Sequence, residues 1–206
     1  MFLISAIAAF LSLDNLIGNF MISRPFIGGI IVGTVLGDIK TGLIIGVIFE
    51  LIWIDTFPIG TFVAPELLAS SILSSYWCIS YSGRTENYMI VTAVALSVPF
   101  GYLYRRLDVL NRQFNSKVSR IIDKAVDKGN ENAVMYYSYG ILFFTALKAF
   151  AFFVIFLYFG REMFMLVDKY MPVSLKIGLG YSIKFLPVIG FSIAYNFFLR
   201  RKYEKC

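Results

Sequence analysis

Charged side chains interrupt an apolar stretch, and their types could bind a polyhydroxylated ligand. The stretch GDIKTGLIIGVIFELIWIDTFPIGTFVAPE, residues 37–66, carries Asp38, Lys40, Glu50, Asp55 and Glu66. An ionised carboxylate accepts two or more hydrogen bonds, and such charge-assisted bonds are strong. A charge at the bilayer centre costs about 2.5–3.5 kcal/mol. We therefore expect these side chains to lie at an interface, in ion pairs, or around one hydrated pocket that holds a carbohydrate.

Two of the candidate substrate-binding residues flank a turn, and a third lies among apolar neighbours. Asp38 and Lys40 separate two apolar runs, so the alternative is a solvent-exposed turn in which Lys40 snorkels. Glu50 is a candidate acceptor for sugar hydroxyls, with Trp53 one helical turn later as an apolar wall. Its alternative is an interfacial glutamate beside an aromatic belt residue.

The remaining charged residues leave similar alternatives open. Glu66 is the fourth candidate substrate-binding residue, but it follows Pro65 and could equally cap the helix that begins there. Asp55 is interpreted as interfacial. Asp14 and Asn15 are interpreted as the end of a helix. Lys148 lies within a long apolar segment, and pairing with a carboxylate is favoured over snorkelling.

The composition places the chain among membrane proteins. Of its 206 residues, 58% are hydrophobic and only 16% are charged, and the mean hydropathy is +0.73. A soluble domain is about one quarter charged. Residues 1–23 lack a basic leader and a small-residue cleavage pattern, so they are interpreted as a membrane segment rather than a removable signal peptide.

Several kinds of site chemistry lack their usual residues. The chain has no histidine, which removes the commonest general base and the commonest phosphate-carrying side chain. Cys78 and Cys206 lie far apart and show no disulfide or metal-ligand spacing. We therefore expect no metal or organic cofactor and no catalytic phosphorylation residue in this chain.

Prolines, glycines and charges divide the chain into apolar segments of unequal length. Between residues 24 and 78 the runs are shorter than the roughly 20 residues that a spanning helix needs. Interrupted segments of this kind indicate binding sites in transporters. Three longer segments are predicted to cross a bilayer, and Arg161–Lys176 is interpreted as a connector between the last two. The predicted crossings are Tyr88–Tyr104, Val134–Gly160 and Ile177–Leu199.

A basic stretch after the first long segment sets the predicted orientation. Arg105–Ala133 is amphipathic, with apolar residues at three- and four-residue steps, and Gly129–Asn130 predicts its end. The positive-inside rule places this stretch and the basic C-terminal tail on the cytoplasmic side. Interleaved aspartates and flanking crossings favour a cytoplasmic amphipathic helix near anionic headgroups over nucleic-acid binding.

These segments predict an all-α, polytopic integral membrane protein. The fold has short glycine- and proline-broken hydrophobic segments and one cytoplasmic amphipathic helix. We expect a single membrane domain over residues 1–206, divided into a signature region at 1–104, the amphipathic segment at 105–133, and C-terminal crossings with a basic tail at 134–206.

A series of motifs spans about residues 20–135. They are Arg24–Pro25, LGDIKTG at 36–42, ELIW at 50–53, IG at 59–60, APE at 64–66 and DKAVDKGN at 123–130. Their order resembles that of the membrane IIC component of the mannose/fructose/sorbose family of the bacterial phosphotransferase system. Glu66 stands where the family usually has Asp. The resemblance favours a structural or substrate-binding role for Asp38.

The resemblance implies a sugar-permease subunit. A IIC chain works with a IID membrane chain to bind a hexose and expose it to the cytoplasm, by a movement thought to resemble an elevator. A cytoplasmic IIB protein, supplied by IIA, then phosphorylates the sugar from a phosphohistidine. We therefore expect as partners a IID chain, IIA and IIB proteins, a hexose and the lipid bilayer, but no nucleic acid. We also expect an oligomeric, multi-pass protein of the bacterial cytoplasmic membrane.

Two alternative hypotheses follow from the same residues. Family members typically continue with further hydrophobic segments after the counterpart of Leu199, so the second hypothesis is a truncated, non-transporting assembly subunit or remnant of such a permease. The third is an unrelated channel or scaffold that binds no hexose.

Overall fold

The chain folds into packed helices of very different lengths. The computed structural model describes residues 1–18, 20–53, 66–81, 85–127 and 132–203, and it has no strand within these ranges. The helices are α1 (Phe2–Ser12), α2 (Asp14–Ile17), α3 (Pro25–Leu36), α4 (Ile39–Trp53), α5 (Leu67–Tyr81), α6 (Asn87–Val126), α7 (Asn132–Tyr170), α8 (Val173–Ser182) and α9 (Leu186–Tyr203), with a 3₁₀ turn at Ile183–Phe185. The chain is therefore an all-α membrane protein, as predicted.

The first apolar segment forms two short helices rather than one membrane segment over residues 1–23. α1 has 11 residues, which extend about 16 Å, or half of the 30 Å hydrocarbon core. The buried Asp14 carboxylate accepts hydrogen bonds from the backbone N–H groups of Phe20 at 2.8 Å and Ser23 at 3.1 Å. Asp14 thus holds the segment that follows α2 by hydrogen bonds to its backbone. The side chain of Asn15 lies outside the described residues.

A tight turn joins α3 to α4. α3 begins at Pro25, whose missing N–H is harmless in the first helical turn. It ends at Gly37, which has a φ of 84°, a conformation that L side chains rarely adopt. The two helices then pack at backbone distance, because a Cβ added at Gly29 would meet the carbonyl oxygen of Gly42.

α5 lies at the centre of the bundle, against α3, α4, α6 and α7. Its Trp77 is fully buried and donates a hydrogen bond from Nε1 to the carbonyl oxygen of Phe156 on α7 at 3.1 Å. Gly160 leaves the space that the indole ring fills. The buried Ser71 donates from Oγ to the carbonyl of Pro25 at 2.7 Å. Small and polar residues therefore allow α5 to pack closely on every side.

α6 and α7 continue well beyond the predicted crossings. α6 runs unbroken for 40 residues and includes Pro99. The crossing Tyr88–Tyr104 and most of the amphipathic segment at 105–133 are therefore one helix. α7 has 39 residues and ends at Tyr170, so the interpretation of Arg161–Lys176 as a connector is wrong. The break falls between α7 and α8, at Met171 and Pro172.

The described helices include three that are long and apolar enough to cross a membrane, as predicted. They are Asn87–Arg120, Val134–Tyr170 and Val173–Tyr195. The third comprises α8, the 3₁₀ turn and the start of α9, and it contains no buried residue, whereas 44% of the most apolar 18-residue window of the first is buried. The fold thus combines a packed bundle with a C-terminal helical pair that lies largely on its surface.

Candidate functional site

A polar cavity of about 260 Å³ lies between α1, α5, α6 and α7, and is named the Glu66 cavity here. Its walls carry carboxylates, amides and hydroxyls. The polar side chains that line it include those of Ser12, Glu66, Tyr104, Asp108, Asn111 and Asn115. Convergent polar groups of this kind are typical of small-molecule sites.

The start of α5 places Glu66 at the wall of the cavity. The backbone N–H of Glu66 donates to the carbonyl of Gly101 on α6 at 3.3 Å, and its carbonyl accepts from Ser70 N–H at 3.4 Å. Glu66 therefore stands immediately before the first turn of α5, and capping of this helix by its side chain stays a prediction. Gly101 allows this approach, because a Cβ there would lie 3.0 Å from the Glu66 carbonyl oxygen.

An ion pair between α6 and α7 involves Asp108, which lines the same cavity. Lys148 Nζ lies 3.2 Å from Asp108 Oδ1, and Arg112 Nε lies 3.1 Å from Asp108 Oδ2. The Lys148 side chain is 14% exposed, and its ammonium lies 5.1 Å from the centroid of the Tyr104 ring. The prediction that Lys148 pairs with a carboxylate is confirmed, and the partner is Asp108.

Amide oxygens of two asparagines remain available to a ligand. Asn111 is 5% exposed, and its Nδ2 donates to Thr145 Oγ1 on α7 at 3.0 Å. The Oδ1 atoms of Asn111 and Asn115 are buried and have no hydrogen-bond partner within the described part of the chain. Because buried acceptors are normally satisfied, these two oxygens suit the hydroxyl groups of a bound molecule.

The electrostatic environment disfavours the charged form of Glu66, which lies outside the three long spans. Burial, followed by the negative charge of Asp108, raises the pKa of Glu66 to about 7, against the opposing effect of Lys148 and Arg112. Near neutral pH this carboxyl can therefore either accept two hydrogen bonds or donate one and accept another.

No group of three or more metal-ligating side chains occurs within the described ranges.

Asp38 lies away from this cavity and organises the turn before α4. Its Oδ1 accepts from Thr41 N–H at 3.1 Å, and its Oδ2 accepts from the hydroxyls of Thr41 at 2.6 Å and Thr85 at 3.1 Å. Burial acts to raise the pKa of Asp38, but these hydrogen bonds outweigh it and lower the pKa below its ordinary value. Lys40, on the first turn of α4, is exposed.

Glu50 lies near the other end of α4 and pairs with an arginine. Its Oε2 is 3.5 Å from Arg24 Nη1, and the two side chains are 27% and 55% exposed. The Trp53 ring stacks on Phe49 with centroids 6.3 Å apart. Glu50 is thus in a half-exposed ion pair, one of the environments expected for the charged stretch. Asp55 lies outside the described residues.

The predicted shared pocket is not formed by all four candidate residues. Asp38 and Glu50 are 12 residues apart, which separates them by about 18 Å along α4. That separation prevents both carboxylates from reaching one sugar ring. The structure places Glu66 in a polar cavity but places Asp38 and Glu50 in local hydrogen bonds and an ion pair. Their separate substrate-binding roles remain predictions.

Sequence reasoning missed the polar residues of α6 that accompany Glu66, because the polar face of this helix is turned toward the bundle. Tyr104, Asp108, Asn111 and Asn115 recur at steps of four, three and four, so they share one helical face, and that face is turned inward. Two of the apolar residues of the amphipathic pattern, Leu110 and Phe114, are instead 60% and 50% exposed. The spacing of these polar residues could have indicated an inward face, because a helix surrounded by lipid turns its polar side chains toward the protein.

Comparisons with known proteins agree with this architecture. The family model described as the PTS system sorbose-specific IIC component matches residues 1–205. The mannose-specific EIIC component of Escherichia coli K12 is 31% identical over 146 residues, which cover 71% of this chain and 53% of that protein. The chain thus spans about half the length of this relative.

Two solved structures resemble the whole described fold. A structure described only as a membrane protein gives a TM-score of 0.73 at 28% identity, over 96% of this chain and 77% of that one. The cryo-EM structure of the mannose transporter ManYZ with microcin E492 gives a TM-score of 0.65 at 28% identity, with the same coverage of both chains.

Proposed function

Because the chain belongs to the family of PTS sorbose-specific IIC components, we propose that it is the membrane subunit that binds and translocates a hexose. The observation that carries this proposal is the Glu66 cavity. It presents a carboxyl, an ion-paired aspartate and two amide oxygens that have no partner among the described residues. Charge-assisted and amide hydrogen bonds are suited to sugar hydroxyls.

The remaining parts of the system are supplied by other chains in this proposal. A IID membrane chain assembles with this one, a role supported by the likeness to a structure of the transporter ManYZ. Cytoplasmic IIA and IIB proteins phosphorylate the hexose, since this chain has no histidine to carry phosphate. The assembly is oligomeric and lies in the bacterial cytoplasmic membrane, with the basic end of α6 on the cytoplasmic side.

Substitution of Glu66 tests the proposal most directly. Glu66→Gln keeps the shape of the side chain and removes the carboxylate. Hydrogen bonds to charged groups contribute about 1.5–3 kcal/mol, so binding of labelled mannose to membranes that contain this chain and a IID chain should fall about 10- to 100-fold. Glu162→Gln is the matched control, because Glu162 is exposed on α7 and lies outside the cavity.

The outcome that contradicts the proposal is mannose binding in Glu66→Gln equal to that of Glu162→Gln. Asp38, Lys40 and Glu50 lie outside the cavity, and their predicted contact with substrate requires separate variants. Asp38→Asn, Lys40→Met and Glu50→Gln, compared in the same binding assay, would show which of them contributes.

A further inference from the structure

A second, larger cleft of about 680 Å³ opens between the start of α6 and the helix α8 with its 3₁₀ turn. Its volume lies within the range of typical ligand pockets, about 300–1,000 Å³. The cleft is named the Lys184 cleft here, and its polar and aromatic lining includes Glu86, Asn87, Tyr88, Lys176, Tyr181 and Lys184.

One buried carboxylate fixes a wall of the Lys184 cleft. Asp168 on α7 is 8% exposed. Its Oδ1 lies 2.7 Å from Lys176 Nζ, and its Oδ2 accepts a hydrogen bond from the Tyr81 hydroxyl at 2.9 Å. The Lys176 ammonium in turn lies 5.0 Å from the centroid of the Tyr88 ring. Asp168 therefore links α5 to α8 and holds Lys176 beside Tyr88 before any ligand arrives.

Lys184 lies on the same face of the last span as Lys176, further along the chain. It follows Lys176 by eight residues, with Gly180 midway, and so lies on the same helical face. A Cβ added at Gly180 would lie 4.0 Å from its nearest described neighbour, Tyr88 N, so the glycine leaves the cleft open. Lys184 is near the middle of the span Val173–Tyr195, where an ionisable side chain needs polar surroundings and marks a functional site.

The charges of the cleft balance. Asp168 neutralises Lys176, and among the lining residues that the structure describes Lys184 and Glu86 then carry opposite single charges. The Lys184 ammonium lies 4.7 Å from the centroid of the Tyr181 ring. A site without net charge, with donors, acceptors and tyrosine rings, suits an uncharged polyhydroxylated molecule better than an anion.

We propose that the Lys184 cleft binds an uncharged sugar at a site separate from the Glu66 cavity. The inference rests on the proposed function, because it assigns a second position to the same class of substrate. Tyr88 and Asp108 are 20 residues apart on α6, which separates the two regions by about 30 Å. With the basic end of α6 in the cytoplasm, the cleft lies at the opposite end and receives the sugar first.

Equilibrium binding of radiolabelled mannose to the full chain, assembled with a IID chain in lipid nanodiscs, tests this inference. Wild type should bind two mannose molecules per chain. Lys184→Met and Tyr181→Ala should each weaken one of the two sites about tenfold, and Glu66→Gln should weaken the other. Tyr181 is 58% exposed, so its substitution leaves the core intact. Lys169→Met is the matched control and should keep both sites, because Lys169 does not line the cleft.

The outcomes separate this inference from the function on which it rests. A single mannose per wild-type chain, lost in Glu66→Gln and unchanged in both cleft variants, would overturn the second site and leave the proposed function in place. No mannose bound to wild type would overturn both. Cleft variants that lose binding of mannose 6-phosphate or phosphatidylglycerol but retain mannose binding would show that the cleft holds an anion, and would also overturn the inference.

Discussion

The Glu66 cavity and the Lys184 cleft are both lined by polar side chains, but the fold supports them differently. The cavity lies among four packed helices, and its asparagines and aspartate are held by hydrogen bonds and ion pairs between α6 and α7. The cleft has one wall in the bundle, anchored at Asp168, and another on a span without buried residues. Substitutions should therefore affect global stability at the cavity and local order at the cleft.

The largest expected effect is at the packing between α5 and α7, within the bundle that holds the cavity. Gly160→Val places side-chain atoms where the buried indole of Trp77 lies, and overpacking of this kind costs about 3 kcal/mol. Urea unfolding followed by tryptophan fluorescence should give an unfolding free energy lowered by that amount. An unchanged value would show that α5 and α7 are not packed at this contact.

Removal of the cation between α6 and α7 should have the next largest effect. Lys148→Met leaves Asp108 with only the exposed Arg112 as an ion-pair partner among the described residues. Loss of one member of a buried pair costs about 3–5 kcal/mol, and partial exposure reduces this to about 2 kcal/mol. The same unfolding assay measures it, with Lys169→Met as the control. Equal stability of the two variants would contradict the role of Lys148.

The raised pKa of Glu66 predicts a pH dependence that the cleft does not share. Since the folded-state pKa, about 7, is above the ordinary 4.5, the folded chain binds this proton more tightly than the unfolded chain. Wild-type stability relative to Glu66→Gln should therefore fall as the pH rises from about 4.5 through 7, and level off once the pH exceeds the folded-state pKa. Parallel stability curves of the two proteins would exclude such a shift.

Loss of the Asp168 carboxylate, which holds Lys176 at the cleft, should have a smaller and local effect. Asp168→Asn removes the ion pair with Lys176 and should destabilise the attachment of α8 by about 1 kcal/mol. Hydrogen exchange should become faster in residues 173–185 and remain unchanged in α5. Faster exchange in α5 as well would show that the C-terminal helical pair and the bundle unfold together.

The smallest expected effect is a gain in stability on α8. A Cβ added at Gly178 meets no atom within 4 Å, and alanine in place of glycine within a helix contributes about 0.5–1 kcal/mol. Gly178→Ala should therefore slow hydrogen exchange in α8 slightly, in contrast to Gly160→Val. Faster exchange would indicate that this face packs against another segment.

Much of the fold follows from local sequence signals. Proline at position 25 and glycine at position 37 mark the two ends of α3, as expected for a helix start and a left-handed stop. Hydrophobic length identifies three spans because each must cross the same apolar layer. The end of α7 was misplaced because Arg161 and Glu162 suggested a connector, although charged residues are compatible with a helix that extends past its apolar part.

The candidate site was predicted only in part, for a different reason. Charge type identified Glu66 and Lys148, but the partner of Lys148 depends on which faces of α6 and α7 meet. Asp38 and Glu50 are close in the sequence, but Asp38 precedes α4 and Glu50 lies near its other end, so the length of the helix separates them. Spacing along a chain predicts a shared helical face, whereas convergence on a cavity depends on packing between helices.

The unbroken length of α6 has a mechanical consequence. Its 40 residues form a rod of about 60 Å, twice the thickness of the hydrocarbon layer, so it must either lean steeply or overhang the bilayer. Tyr88 near one tip and Asp108 beyond the midpoint then travel as one body unless the rod flexes. Pro99 lies between them and lacks the N–H that would bridge to Ala95, so flexing is easiest there.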